Sequence, residues 1–182
     1  MTNTDALAVL AFWFDEIDEK DWFRRSEELD ARITNRFAKQ HAMAAACELS
    51  GWRSDAAGRL AEIIVLDQFS RNIYRDSAKA FAQDSLALAL AQEMVDRSLD
   101  TQLEPVQQAF VYMPFMHSES ALIHEQALIL FNRPGLENNY SFELRHKAII
   151  DRFGRYPHRN ELLGRTSSEQ ELDFLQQPGS SF

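Results

Sequence analysis

Apolar residues recur every three to four positions along most of the chain, which is the spacing of one face of an α-helix. Ala6, Val9, Leu10 and Trp13 follow this spacing near the start of the sequence. No stretch alternates apolar and polar residues as a half-buried β-strand does. Short turns, such as the one at 132–135, separate the helical stretches. The sequence therefore predicts an all-α fold of about seven to nine helices.

The length of 182 residues and the hydrophobic fraction of 45% suit one domain with a buried core. We expect a single helical domain over 1–182, in which 178–182 form a loose C-terminal tail. Small and aromatic residues in 80–91 and 155–175 favour stacked antiparallel helical hairpins with tetratricopeptide-like packing. The tetratricopeptide signature of about 34 residues is absent, and a plain helical bundle is the alternative architecture.

The composition argues against several classes of protein. The net charge of −9 opposes binding to nucleic acids and anionic membrane surfaces. No apolar run approaches the roughly 20 residues of a membrane-spanning helix, and the first residues lack the pattern of a signal peptide. The only cysteine, Cys47, fits a reducing compartment, and we expect it to be a small buried residue within a helix. We therefore expect a soluble cytoplasmic protein that binds no nucleic acid and no membrane.

A first polar motif directly follows the apolar run 63–66 and contains Asp67, Gln68, Arg71 and Asn72. Asp67 and Arg71 are four residues apart, so they share a helix face and can pair. Polar groups that follow an apolar run need partners if they are buried. The motif indicates either a clamp for an anion or carboxylate, or a salt bridge near the end of a helix.

A second motif places His117 and Glu119 shortly after Pro114, where we expect a helix to kink or a new one to begin. His117 with Glu119 could act as a general acid–base pair. Alternatively, His117 satisfies backbone groups that the kink leaves free. His117 and His124 are seven residues apart, which is not the spacing of a known zinc signature. We therefore expect no metal and no cofactor.

A third motif is basic although the whole chain is acidic. Residues 143–165 hold six basic residues and three acidic ones, together with two histidines. The planar fork of arginine suits carboxylates and phosphates, and Gly154 and Pro157 define a turn whose backbone could approach a ligand. The alternative is a corner between helices whose arginines neutralise the acidic remainder of the protein. The polar residues of the motif are Arg145, His146, Arg152, Arg155, His158, Arg159, Asn160 and Arg165.

Short motifs distributed along almost the whole chain carry a family resemblance; they lie at 11–14, 22–23, 58–60, 66–75, 80–82, 112–119 and 152–165. Together they resemble the bacterial domain-of-unknown-function family 924, from about Val9 to Leu175. The resemblance implies an all-α, tetratricopeptide-like fold and no established activity. Met116 departs from the more polar residue expected beside the histidine, which weakens a catalytic interpretation of that segment.

We expect the three motifs to meet at one groove, so the leading hypothesis is a module that binds a small anion or a peptide carboxylate. One alternative is an enzyme in which His117 or His158 is the general base, Glu119 orients it, and arginines hold an anionic substrate. Another is a structural or protein-interaction domain. The expected ligand-binding residues are Asp67, Gln68, Arg71, Asn72, His146, Arg152, Arg155, His158, Arg159, Asn160 and Arg165.

Overall fold

The computed structural model describes residues 4–181, and within this range it contains helices and turns but no β-strand. The predicted all-α fold is therefore confirmed. None of the described helices is long and apolar enough to cross a membrane. The α-helices are α1 (Thr4–Ala11), α2 (Glu27–Ala45), α3 (Ala56–Ile64), α4 (Ser70–Ile73), α5 (Asp84–Asp96), α6 (Pro105–Met116), α7 (Ala121–Phe131), α8 (Glu137–Phe153) and α9 (Glu169–Leu175).

Short turns of other helical types extend or connect these helices. A π turn over Val65–Phe69 joins α3 to α4, so that 56–73 follow one continuous helical path. A second π turn, Phe12–Glu16, extends α1. The 3₁₀ turns are Glu19–Asp21, Ser50–Ser54, Ala78–Phe81, Asp100–Gln102 and Pro157–Arg159.

Helix α3 lies at the centre of the molecule, because all of its residues except Ala57 are buried. It packs against α1, α5 and α6. In the second half of the chain each helix packs against the next, α5 on α6, α6 on α7 and α7 on α8. Such neighbour-to-neighbour packing is what hairpins joined by short turns require. The closer likeness to tetratricopeptide proteins stays a prediction.

Aromatic rings fill the main core between α1, α2 and the π turn that follows α3. Trp13 packs edge-on against Phe69 and Phe110, with ring centroids 5.6 Å apart in both pairs. Phe37 of α2 lies 5.1 Å from Phe69. Burial of one such side chain stabilises the fold by roughly 1.5–3 kcal/mol. These contacts fix the position of the π turn within the fold.

A second, smaller core holds the C-terminal third of the chain. Ile149 and Ile150 of α8 pack with Tyr156, and Phe153 and Phe174 join them from the edge. Tyr156 is fully buried, and its hydroxyl donates a 2.6 Å hydrogen bond to the carbonyl of Met116 at the end of α6. This core holds the segment after α8 against the end of α6.

Two helix ends differ from the sequence prediction. The apolar spacing predicts one helix from Glu27 to Leu49. Helix α2 instead ends at Ala45, because Cys47 adopts a left-handed φ of 58° and turns the chain out of the helix. Cys47 is exposed, so the expectation of a buried cysteine is wrong. For the last helix, the sequence predicts a capping box of Thr166 with Glu169 or of Ser167 with Gln170. Helix α9 instead begins at the capping box of Ser168 and Glu171.

Candidate functional site

The π turn between α3 and α4 places two polar side chains of the first motif inside the protein. Asp67 is 1% exposed and Gln68 is 6% exposed. A π turn adds a residue to the helical path and changes which side chains face inward, and such turns occur frequently at functional sites. Asp67 and Gln68 are therefore held on a rigid, buried element.

Asp67 forms hydrogen bonds with side chains of both the first and the second motif. Its Oδ1 accepts hydrogen bonds from His117 Nδ1 at 2.7 Å and from Arg71 Nη1 at 3.1 Å. Its Oδ2 accepts one from Gln68 Nε2 at 2.6 Å. Burial acts to raise the pKa of Asp67, but the charge of Arg71 and the hydrogen bonds from His117 and Gln68 outweigh it and hold that pKa well below its usual range. Asp67 is therefore an ionised carboxylate that orients His117.

Asp84, at the start of α5, links the first motif to the third. Arg71 binds both of its oxygens, Nη1 to Oδ1 at 3.0 Å and Nη2 to Oδ2 at 3.1 Å. Arg159 Nη1 donates to the same Oδ2 at 3.2 Å. The two guanidinium carbons also lie over the ring of Phe81, at 5.7 Å for Arg71 and 4.6 Å for Arg159. We call the connected set His117, Asp67, Arg71, Asp84 and Arg159 the charged cluster.

Neither Asp84 nor Phe81 is among the site residues that the sequence predicts. Phe81 lies just before α5, and Asp84 is its first residue. The alanine-rich pattern of this segment predicts one long helix from Ser77 to Arg97. The structure instead has a 3₁₀ turn and then α5. No local spacing connects Asp84 to Arg159, which lies 75 residues later, so no signal in the sequence identifies this contact.

Arg159 is the least satisfied arginine of the cluster. It is 7% exposed, and its side chain makes one hydrogen bond, from Nη1 to Asp84. The buried Nε has no hydrogen-bond partner among the described residues. The one hydrogen bond that the side chain makes to them comes from Nη1, so Nη2 is also unpaired there. Burial lowers the pKa of Arg159, and the nearby charge of Arg71 lowers it further.

The Nε–Nη2 edge that is open in Arg159 is the edge that other arginines of this protein use to bind carboxylates. It is the edge that presents two parallel N–H groups to an anion. Arg59 also has an unpartnered Nε, but both of its terminal nitrogens bind Glu93. The arginines with a filled Nε–Nη2 edge include Arg53 on Glu62, Arg75 on Asp30 and Arg155 on Glu171.

Three histidines surround the buried ring of Tyr156. The ring centroids of His124, His146 and His158 lie 6.3, 5.8 and 5.5 Å from that of Tyr156. Burial lowers the pKa of His146 to about 3 and, together with the charge of Arg159, lowers the pKa of His158 to about 4. His146 and His158 are therefore neutral at physiological pH.

Glu119 of the second motif pairs with the third motif instead of with His117. It accepts hydrogen bonds from Arg165 at 2.6 and 2.9 Å and from the backbone N–H of Tyr156 at 2.7 Å. Pro114 lies in the last turn of α6, which continues to Met116 and presents His117 directly after its end. The carboxylate that contacts His117 is Asp67, 50 residues earlier in the chain.

The remaining sequence-predicted residues lie outside the charged cluster. Asn72 faces α2 and donates to Asp30 at 2.8 Å. Asn160 connects Arg165 to Ser167. These contacts hold the fold together. Two more predicted residues lie towards α9: Arg152 stacks on Phe153 and Phe174, and Arg155 binds Glu171.

The cluster lies at the surface as a partly open patch. Side-chain exposure is 17% for His117 and Asp84 and 22% for Arg71. Two surface cavities, of about 490 and 330 Å³, lie elsewhere and are lined by residues outside the cluster. Within 4–181, no three His, Cys, Asp or Glu side chains are arranged to hold a metal ion. The cluster thus offers charged side chains to a small ligand at a polar patch.

These features define an all-helical protein with a charged cluster assembled from four segments of the chain. Residues 9–179 match the family described as bacterial protein of unknown function (DUF924). The chain belongs to this family. Its fold is similar to the solved structure of a protein of unknown function, ATU0120, from Agrobacterium tumefaciens. That similarity has a TM-score of 0.92 and 34% sequence identity and covers 97% of this chain and 99% of the other. A search of curated proteins finds no match.

Proposed function

We propose that the protein binds a small anion, carrying a carboxylate or phosphate group, at the charged cluster through the Nε–Nη2 edge of Arg159. The supporting observation is the buried Arg159, whose Nε is buried without a partner among the described residues and whose one side-chain hydrogen bond to them comes from Nη1. A buried donor left unpaired costs roughly 1–3 kcal/mol, and an anion that accepts both hydrogen bonds removes that cost.

The charges of the cluster support the same proposal. Arg71 and Arg159 share the carboxylate of Asp84, and Asp67 neutralises only the Arg71 side. Arg159 therefore shares its one carboxylate partner with Arg71, and burial leaves its charge poorly hydrated. A planar carboxylate or a tetrahedral oxyanion fits the parallel N–H groups of a guanidinium edge.

Titration calorimetry with sulfate and with citrate tests the proposal. Arg159→Lys keeps the positive charge but removes the two-donor edge, so we expect it to weaken binding about tenfold or more. Arg155→Lys is the matched control, because the same edge of Arg155 is already bound to Glu171 away from the cluster. It should leave the affinity unchanged.

The opposite result has a defined meaning. If neither anion binds the wild-type protein and Arg159→Lys only lowers the melting temperature, the arginine stabilises the fold and the proposal is wrong. Equal loss of affinity in Arg159→Lys and Arg155→Lys would also contradict it, because the edge of Arg159 would then have no special role.

A second candidate function is acid–base catalysis by His117. It is favoured by the 2.7 Å hydrogen bond from Nδ1 to the buried Asp67, which fixes the ring and leaves Nε2 as the base. Turnover of p-nitrophenyl acetate or p-nitrophenyl phosphate, abolished in His117→Asn, would support it. The single cysteine, which suits a reducing compartment, supports a cytoplasmic site of action for either function.

A further inference from the structure

We infer that binding of an anion at the charged cluster is coupled to the uptake of one proton by His117. This inference rests on the anion binding proposed above and adds its regulation: the affinity depends on pH through a single side chain. The observation behind it is that Asp67 holds one ring nitrogen of His117, while the side chain stays partly exposed.

The hydrogen bond to Asp67 fixes which nitrogen of His117 can take up a proton. Asp67 is ionised and can only accept, so His117 Nδ1 must carry a hydrogen and donate it. The Nε2 atom is therefore the basic nitrogen of the neutral ring. No residue among those described forms a hydrogen bond with Nε2, and the side chain is 17% exposed.

Arg71 lies close to both His117 and the anion-binding edge. Arg71 and His117 donate to the same oxygen of Asp67, and Arg71 shares Asp84 with Arg159. A negative charge placed at Arg159 therefore acts on His117 through a connected chain of charged groups, Asp84, Arg71 and Asp67. Where solvent access is low, as in this cluster, one unit charge changes the pKa of a group in the same network measurably.

Without an anion, the surroundings keep His117 neutral. Burial lowers its pKa, the charge of Arg71 lowers it further, and Asp67 and Asp84 raise it. A bound anion adds a negative charge that opposes the effect of Arg71 and therefore favours the protonated form of His117. The groups that act on His117 from the packed elements are Asp67, Arg71, Asp84, His146 and His158.

Linkage gives the direction of the effect. If binding takes up one proton, a decrease of one pH unit tightens binding by up to about tenfold in the range where free His117 is neutral. Proton uptake falls to zero at pH values where free His117 is already protonated. Binding to a cluster without such coupling has the same affinity at each pH.

Calorimetry with sulfate measures the number of protons directly, because sulfate itself carries no proton near neutral pH. Titrations are run in two buffers with different enthalpies of ionisation, and the difference in observed heat gives the protons taken up. We expect up to one proton per sulfate at neutral pH. His117→Asn keeps a side-chain N–H for Asp67 but cannot titrate, so its uptake should be zero.

His158→Asn is the control, since His158 neighbours Arg159 and is the nearest rival for the proton. It should keep the uptake seen in the wild-type protein. Sulfate binding without proton uptake overturns this inference alone, as does uptake that survives in His117→Asn. Absence of sulfate and citrate binding overturns the proposed function and this inference with it.

Discussion

Gly58 lies where α3 passes closest to the backbone of the preceding turn. An alanine Cβ at this position would collide with the carbonyl oxygen of Trp52, which is backbone and cannot rotate away. We expect Gly58→Ala to lower the free energy of unfolding by about 1–3 kcal/mol, as forced overpacking does. Urea unfolding monitored by circular dichroism measures it. Gly51→Ala is the control, because a Cβ added there would meet no neighbouring atom within 4 Å; equal destabilisation by both would contradict the steric explanation.

Asp84 is the shared counter-ion of two arginines, so its charge competes with any bound anion. Asp84→Asn removes that charge while keeping a similar shape, and we expect sulfate to bind at least about tenfold more tightly. The ligand-free variant should also melt at a lower temperature, because Arg71 loses one of its two carboxylate partners and the buried Arg159 loses its ion pair.

Asp76→Asn provides the comparison for this experiment, since Asp76 pairs only with the exposed Arg25 among the described residues. It should change neither sulfate affinity nor melting temperature appreciably. Weaker sulfate binding in Asp84→Asn would show that Asp84 positions Arg159 for the ligand instead of competing with it.

Single residues of the site differ in how far sequence can predict them. Asp67 and Arg71 pair as their four-residue spacing predicts, because helix geometry alone brings them together. The sequence predicts His117 beside Glu119, yet it contacts Asp67 from 50 residues away. That contact depends on how α6 packs against the path through α3 and α4, which no local pattern encodes.

At the scale of elements, α9 is a helix of seven residues that depends on its N-terminal cap. The Ser168 side chain accepts from the backbone N–H of Glu171 at 3.2 Å, and the Glu171 side chain accepts from the N–H of Ser168 in return. Ser168→Ala should destabilise α9 by about 1 kcal/mol. Hydrogen exchange should then be faster in 169–175.

Ser120→Ala is the matched substitution, because Ser120 stands at the N-cap of α7 without a side-chain cap bond. It should leave exchange in α7 nearly unchanged. If exchange in 169–175 is equally slow in Ser168→Ala and wild-type protein, the packing of Phe174 on Phe153 holds α9 without help from its cap.

The spacing of apolar residues predicts that the helices exist, but it predicts neither the start of α9 nor the π turn between α3 and α4. The sequence predicts the capping box of α9 one or two residues too early, because Thr166, Ser167 and Ser168 each precede an acidic or amide residue by three positions. The π turn at Val65–Phe69 has no sequence signature, although it sets the direction of Asp67. Packing of Phe69 among Trp13 and Phe37 selects it.

For the whole molecule, burial of neutral histidines predicts a pH dependence of stability. The folded-state pKa values of His146 and His158 lie near 3 and 4, below the ordinary value of 6.5. Below pH 6.5 the unfolded chain binds protons that the folded protein does not bind. Stability is therefore complete above about pH 6.5 and is lost as the pH falls towards about 4, by up to about 1.4 kcal/mol per pH unit for each histidine.

Carboxylates with lowered pKa values, such as Glu119 and Glu171, affect stability at lower pH than the histidines do. Their contribution to the free energy of unfolding is complete above about pH 4.5 and is lost only below it. Urea unfolding at about pH 7.5, 6 and 5 separates the two groups. We expect the free energy of unfolding to fall already between about pH 6 and 5, with a shallower slope in His146→Asn. A constant free energy across this range would mean that the histidines are as easily protonated in the folded protein as in the unfolded chain, and that water reaches the rings around Tyr156.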